Sequence, residues 1–250
     1  MLIPSVEVCR TMDAIETRET PSIPMFVDVP SRKHLRPRWV TPALVVACVV
    51  CYLWLMLAAP ATRYAVLGNW GTVPAHLFQK GDPLTGWLWL RPFTSLFMHA
   101  DWMHLLGNML FLVIFGLPAE RVLGSRRFLF LFLVGGAFAN LIGAWTLSGQ
   151  LRPIIGCSGA VSATLGAYLA LFPRSHLGLV LPLGLYVQFI RVPAALLIGM
   201  WVLLQLLFTW AGPGFGTVVW WAHLAGFGFG ILFAIVSRGA VERRLRQHAR

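Results

Sequence analysis

Charge is what this sequence has least of. Asp, Glu, Lys and Arg make up 12% of its 250 residues, and only nine are acidic. All nine, Glu7, Asp13, Glu16, Glu19, Asp28, Asp82, Asp101, Glu120 and Glu242, fall in tails, loops or the ends of apolar runs. Proton-coupled transporters commonly use carboxylates deep in the membrane, and an aspartyl intramembrane protease needs a pair of them, so both readings lose most of their support, a transporter standing as a third, weaker reading. An H-E-x-x-H sequence is also missing, which removes the usual helix-borne zinc site; neither metal nor cofactor is expected. Cysteine is sparse: Cys9 lies in the polar N-terminal stretch, Cys48 and Cys51 in the first apolar run, and Cys157 at the start of another. Cys48 and Cys51 have C-x-x-C spacing, but inside lipid they read as small packing residues, and no disulfide framework is implied. There is no internal repeat of the kind that builds transporters from inverted halves. The first 38 residues hold no apolar core of signal-peptide type.

What is abundant is apolar surface. Hydrophobic residues make up 58% of the chain, and mean hydropathy is +0.73, far above a soluble domain. Uncharged stretches run over 39–62, 102–119, 128–151, 153–173 and 192–237, the last long enough for two spans of roughly 20 residues. The reading is an all-α membrane protein with six transmembrane helices near 41–59, 102–117, 128–146, 156–172, 193–209 and 219–236. A poorly ordered tail over 1–38 precedes the membrane domain at 39–237, and a basic tail over 238–250 follows it. Basic residues flanking spans stay in the cytoplasm. With the N-terminus inside, Arg36, Arg38, Arg121, Arg126, Arg127, Arg174, Arg191, Arg238, Arg243 and Arg244 are all cytoplasmic, against Arg63, Lys80, Arg91 and Arg152 outside. Both termini are therefore expected in the cytoplasm. Topology and the lipid bilayer account for the net charge of +11, so no nucleic-acid partner is expected.

Between the first two spans lies a long external segment, about 60–101, with Trp70, Trp87, Trp89, Phe78 and Phe93 among prolines and glycines; its composition suits the membrane interface. The stretch 174–191 is too apolar for a free loop and, with Pro182 and Gly184, too interrupted for a span. The glycine-rich loop at 211–218 reads as flexible.

The polar residues singled out at membrane depth are His104, Asn108, Ser158 and His223. Ser158 lies 16 positions before Arg174, His223 lies 15 before Arg238, and His104 lies 16 before Glu120. In spans that all run inward, a rise of 1.5 Å per residue puts each about 23 Å above its cytoplasmic marker, in one layer below the outer edge of a core about 30 Å thick. A serine at a helix start sits beside free amides and the positive dipole end, where an oxyanion could be held. A histidine at the same depth could take the serine proton and return it to a leaving amine. His104 and Asn108, at i and i+4, share one helix face and can both donate hydrogen bonds. Gly226 and Gly230 form a small-x-x-x-small pair that lets the last helix approach a neighbour closely. Taken singly, a serine among small residues is usually packing or a backbone hydrogen bond, a lone histidine is more often a hydrogen-bonded core residue, and the His104–Asn108 pair could equally be a helix staple.

Met98-His99 followed by His104 and Asn108, then Gly156-Cys157-Ser158-Gly159, then Ala222-His223 with Gly226 and Gly230, resemble the rhomboid intramembrane serine proteases over about 87–236. The resemblance implies a six-helix rhomboid-like bundle whose long first external loop lies partly in the membrane. It implies Ser158 as nucleophile and His223 as general base, with the Ser158 amide, His104 and Asn108 at the oxyanion and His99, Gly156 and Gly159 in support. Glu120 and Gly124 also fit the pattern. The substrates would be transmembrane proteins, and a bacterial cytoplasmic membrane the expected location. Ser162 stands where well-known members carry a tyrosine against the histidine, which leaves open what orients His223. Leu90-Arg91 replaces a frequent Trp-Arg pair. The alternative is a non-proteolytic rhomboid-like protein that binds transmembrane clients.

Overall fold

The computed structural model describes residues 38–78, 85–183, 186–211 and 219–249. The N-terminal tail up to residue 37, Lys80, Asp82 and positions 212–218 of the glycine-rich loop lie outside them. In chain order come α1 (Val40–Leu57), α2 (Pro60–Trp70), α3 (Pro74–Phe78), α4 (Thr85–Leu88) and α5 (Arg91–Thr94), then a 3-10 turn at Ser95–Phe97. There follow α6 (Trp102–Phe111), a π-helical turn at Leu112–Gly116, α7 (Leu117–Leu123), α8 (Ser125–Thr146) and α9 (Ser158–Leu171). Strands β1 (His176–Leu183) and β2 (Tyr186–Pro193), then α10 (Ala194–Ala211) and α11 (Trp220–Ala249), complete it.

Among the described residues five helical stretches are long and apolar enough to cross a membrane: Val40–Leu57, Trp102–Leu123, Ser125–Thr146, Ala194–Ala211 and Trp220–Arg246. The shorter α9, 14 residues, lies at the centre. From Gly159 to Tyr168 every residue is buried, as expected of a helix enclosed on all sides. Its small side chains bring neighbours to backbone contact. A Cβ at Gly226 would collide with the Gly159 carbonyl oxygen, one at Gly230 with that of Ala163, and one at Gly166 with that of Phe227. Across the other flank a Cβ at Gly159 would collide with Ala139 of α8. The α9–α11 seam that carries Ser158 and His223 is thus fixed by main chain against main chain.

The structure departs from the all-helical expectation in one place. Most of the stretch 174–191 forms an antiparallel ribbon, with His176 opposite Pro193 and Leu183 opposite Tyr186. Its apolar run is too short for a span, and pairing satisfies the backbone groups that a loop would leave open. The C-terminal segment also differs from a tail, since α11 continues through Ala249. Val241 and Leu245 are buried, and Arg244 donates to the carbonyls of Arg121 and Val122 at 2.8 and 2.9 Å.

The described part of the segment between α1 and α6 is pinned by α8 and by the stretch before α9. Asn140 of α8 donates to the Pro92 carbonyl at 3.1 Å and to Ser95 Oγ at 2.9 Å, and Ser95 Oγ lies 2.9 Å from Thr72 Oγ1. Thr72 and Ile154 exchange main-chain hydrogen bonds at 3.1 and 2.8 Å. Trp70, Trp87 and Trp89 remain exposed.

Candidate active site

Ser158 is the first residue of α9, after Cys157 at the cap position. The turn that delivers it depends on Gly156, whose φ of +107° favours glycine. The Gly156 N–H donates to the Ser95 carbonyl at 2.9 Å, so the same pinned segment also sets the position of the serine. A Cβ at Gly156 would stand 2.6 Å from Cε1 of His104, so glycine is what lets the imidazole lie against this turn.

Ser158 Oγ lies 2.9 Å from Nε2 of His223, and His223 Nδ1 lies 2.8 Å from Oε1 of Gln205. Trp201 lies 6.2 Å from the His223 ring at 33°, and Trp220 approaches edge-on at 6.1 Å and 83°. Ser162 Oγ donates to the Ser158 carbonyl at 2.7 Å, so its hydroxyl serves α9 and not the imidazole. Serine, histidine and amide form one line of hydrogen bonds from α9 through α11 to α10.

Asp101 caps α6, its Oδ1 accepting from the His104 N–H at 2.8 Å. This places His104 in the first turn, against Gly156. Asn108 is buried, and its Nδ2 donates to the His104 carbonyl at 3.0 Å. Among the described residues neither side chain hydrogen-bonds Ser158 or His223. His99 is buried, its Nε2 is 3.6 Å from Cys157 Sγ, and its ring meets that of His104 edge-on at 5.2 Å. Burial, and then the neighbouring His104, push His99 down to about 4, so it is neutral at physiological pH. Among the described residues no group of three or more His, Cys, Asp or Glu could hold a metal ion.

Gln205 is the residue that sequence reasoning missed. It was legible by the same ruler: it stands 14 positions after Arg191, which at 1.5 Å per residue is about 21 Å along the helix, close to the spacing of Ser158, His223 and His104 from their own charged markers.

A bundle of helices, five of which among the described residues are long and apolar enough to cross a membrane, defines a multi-pass membrane protein. The chain belongs to the rhomboid family: the Rhomboid domain model matches residues 86–239. It is 33% identical over 113 residues to the rhomboid YdcA of Bacillus subtilis (strain 168), covering 42% of this chain and 56% of that one. It is 30% identical over 159 residues to Rhomboid protein 1, mitochondrial, of Saccharomyces cerevisiae, covering 60% and 42%. To Rhomboid protease GluP of Bacillus subtilis it is 30% identical over 128 residues, covering 50% and 24%. The matches thus span between a quarter and just over half of these relatives' lengths.

Proposed function

We propose that this chain is an intramembrane serine endopeptidase that hydrolyses peptide bonds in or near transmembrane segments of membrane-protein substrates, using Ser158 and His223 as a dyad. The observation that carries this reading is the 2.9 Å contact between Ser158 Oγ and His223 Nε2 at the start of a buried helix. Nucleophile and base are within proton-transfer distance.

In the first step Ser158 Oγ attacks the scissile carbonyl carbon as its proton passes to Nε2. The oxygen that gains charge is met by the Ser158 N–H, free at the helix start, and by donors from His104 and Asn108. The C–N bond breaks as the imidazolium returns the proton to the leaving amine, which leaves an ester on Ser158. Water, deprotonated by His223, then hydrolyses that ester. Asn108 has one amide N–H engaged by the His104 carbonyl, and its second is the one assigned to the oxyanion.

On this reading α9 completes the set of six spans, standing fourth in chain order. Its 14 residues rise only about 21 Å, short of a core about 30 Å thick, because it begins below the outer surface and leaves room above Ser158 for water and an unwound peptide. The external segment with its exposed tryptophans rests at the outer interface, and both termini are cytoplasmic, in a bacterial cytoplasmic membrane. Labelling by a fluorophosphonate probe tests the dyad: the native chain should react, and Ser158→Ala and His223→Ala should lose the signal. Equal labelling of all three would remove it. An unreactive native chain that still captures single-span proteins would favour client binding instead.

A further inference from the structure

In the neutral imidazole of His223 one nitrogen carries the proton and the other a lone pair. Only the tautomer protonated at Nδ1 can accept the serine proton at Nε2. Something must therefore hold the proton on the far side of the ring, and it is not a carboxylate of the usual triad kind: among the described residues the buried acid, Glu120, is taken up by Trp39, Val40, Thr41 and Ser125.

We propose that Gln205 is the positioning residue of this site: its side-chain oxygen accepts the Nδ1 proton of His223 and so keeps the Nε2 lone pair facing Ser158. Several observations bear on this. The contact is 2.8 Å long. Of the 18 residues of α10 only three are buried, while Leu197, Trp201, Val202, Phe208, Thr209 and Ala211 are half-buried; the inward line runs through Ala194, Ile198, Trp201 and Gln205. These positions, i, i+4, i+7 and i+11, form a single inward stripe. A glutamine on that stripe is an amide taken out of water, which is costly unless it is hydrogen-bonded; the imidazole is the partner. The other neighbours cannot do the same work. Ser162 donates to the Ser158 carbonyl, while Trp201 and Trp220 confine the ring without distinguishing its two nitrogens.

An amide oxygen also suits the location. It supplies the geometric part of a third triad member, a fixed acceptor at Nδ1, without a full charge at membrane depth. When the ring becomes imidazolium both nitrogens donate, and the same oxygen still accepts from Nδ1, so the ring need not turn between accepting and returning the proton. The reversed amide would do the opposite. Its NH₂ would donate to Nδ1, the ring proton would sit on Nε2, and no lone pair would face Ser158. The two orientations predict different tautomers, which makes the assignment measurable.

The kinetic consequence rests on the serine-protease reading, whereas the tautomer does not. The test uses the full chain in detergent micelles with ¹⁵N-labelled histidine, the His223 signals being identified by their loss in His223→Asn. In the native chain Nδ1 should carry the proton and Nε2 should be bare, while Gln205→Leu should give a tautomer mixture. With a fluorophosphonate probe, Gln205→Leu should lower the maximal inactivation rate about 10- to 100-fold, the scale of a small misplacement of a reacting group, with the half-saturating probe concentration changed less than threefold. Gln205→Glu keeps an acceptor and should recover to within a few-fold of native. Should Gln205→Leu not fold, Gln205→Met has nearly the same length and no amide. A native ring protonated at Nε2 would overturn the proposal. So would Gln205→Leu within twofold of native, or Gln205→Glu as slow as Gln205→Leu. If the native chain does not react with the probe, the protease reading fails, and the nitrogen spectrum still decides the tautomer.

Discussion

At Gly156 two constraints fall on one residue. Its φ of +107° is strained for any residue with a side chain, and a Cβ would enter the His104 ring. Gly156→Ala must therefore move the turn or the ring, at a cost of about 1 to 3 kcal/mol, and either shift displaces a group assigned to the chemistry. Fluorophosphonate labelling should fall at least about 10-fold, a loss worth about 1.4 kcal/mol of barrier; labelling within twofold of native would show that the turn tolerates the change. His99 offers a different measurement. It is held near 4 in the folded chain against 6.5 for an ordinary histidine. Below pH 6.5 the unfolded chain binds the extra proton and the folded one does not, so this contribution to stability is complete above pH 6.5 and is lost as pH falls toward 4. The gap corresponds to roughly 3 kcal/mol. The midpoint of thermal unfolding in detergent should fall between pH 7 and pH 4.5, and less steeply in His99→Asn; parallel slopes would assign the acid sensitivity to other groups.

Among the elements, the α9–α11 seam is the one whose geometry the sequence states most directly. The Gly226-x-x-x-Gly230 spacing predicts close approach, and each glycine faces a carbonyl of α9. Gly230→Ala has no flexible side chain to push aside, so α11 must back away at a cost of about 1 to 3 kcal/mol or more, carrying His223 from Ser158. Gly228 is the internal control, with nothing within 4 Å of an added Cβ. Gly228→Ala should be neutral or raise stability by up to about 1 kcal/mol through helix propensity. Equal unfolding midpoints for the two variants would mean that the seam does not set the spacing. Other elements were less legible for identifiable reasons. The ribbon pairs His176–Leu183 with Tyr186–Pro193, and a largely apolar run shows neither the helical period nor the alternation that marks a half-buried strand. The continuation of α11 was hidden by its arginines, which read as a solvated tail until Val241 and Leu245 are seen buried. Gln205 was passed over because one amide in an apolar run does not change the identity of a span, although its depth matched the others.

At the scale of the molecule, α1 stands before the residues matched by the family domain, and one carboxylate fixes it there. Glu120 of α7 accepts from the N–H groups of Trp39, Val40 and Thr41 at 3.1, 3.0 and 2.9 Å, from Thr41 Oγ1 at 2.8 Å and from Ser125 Oγ at 2.7 Å. The N-terminus of α1 has no cap of its own, so these bonds satisfy amides that would otherwise be open, and the negative charge sits at the positive end of the helix dipole. Only 28% of α1 is buried, and lipid gives helices no hydrophobic reason to associate, so the clamp supplies much of what holds α1 in register. Glu120→Gln is nearly the same size but presents an NH₂ where one oxygen accepted, which opposes donor to donor. Loss of charge-assisted bonds worth about 1.5 to 3 kcal/mol each should lower the unfolding midpoint by several degrees and loosen α1. Cys48, fully buried on α1, reports the second effect. In a background where Cys9, Cys51 and Cys157 are replaced by alanine, a membrane-permeant maleimide should label Cys48 slowly in the otherwise native chain and at least several-fold faster in Glu120→Gln. A lowered midpoint with Cys48 still protected would mean that α1 is held by its packing and that the carboxylate serves only the α7–α8 corner through Ser125.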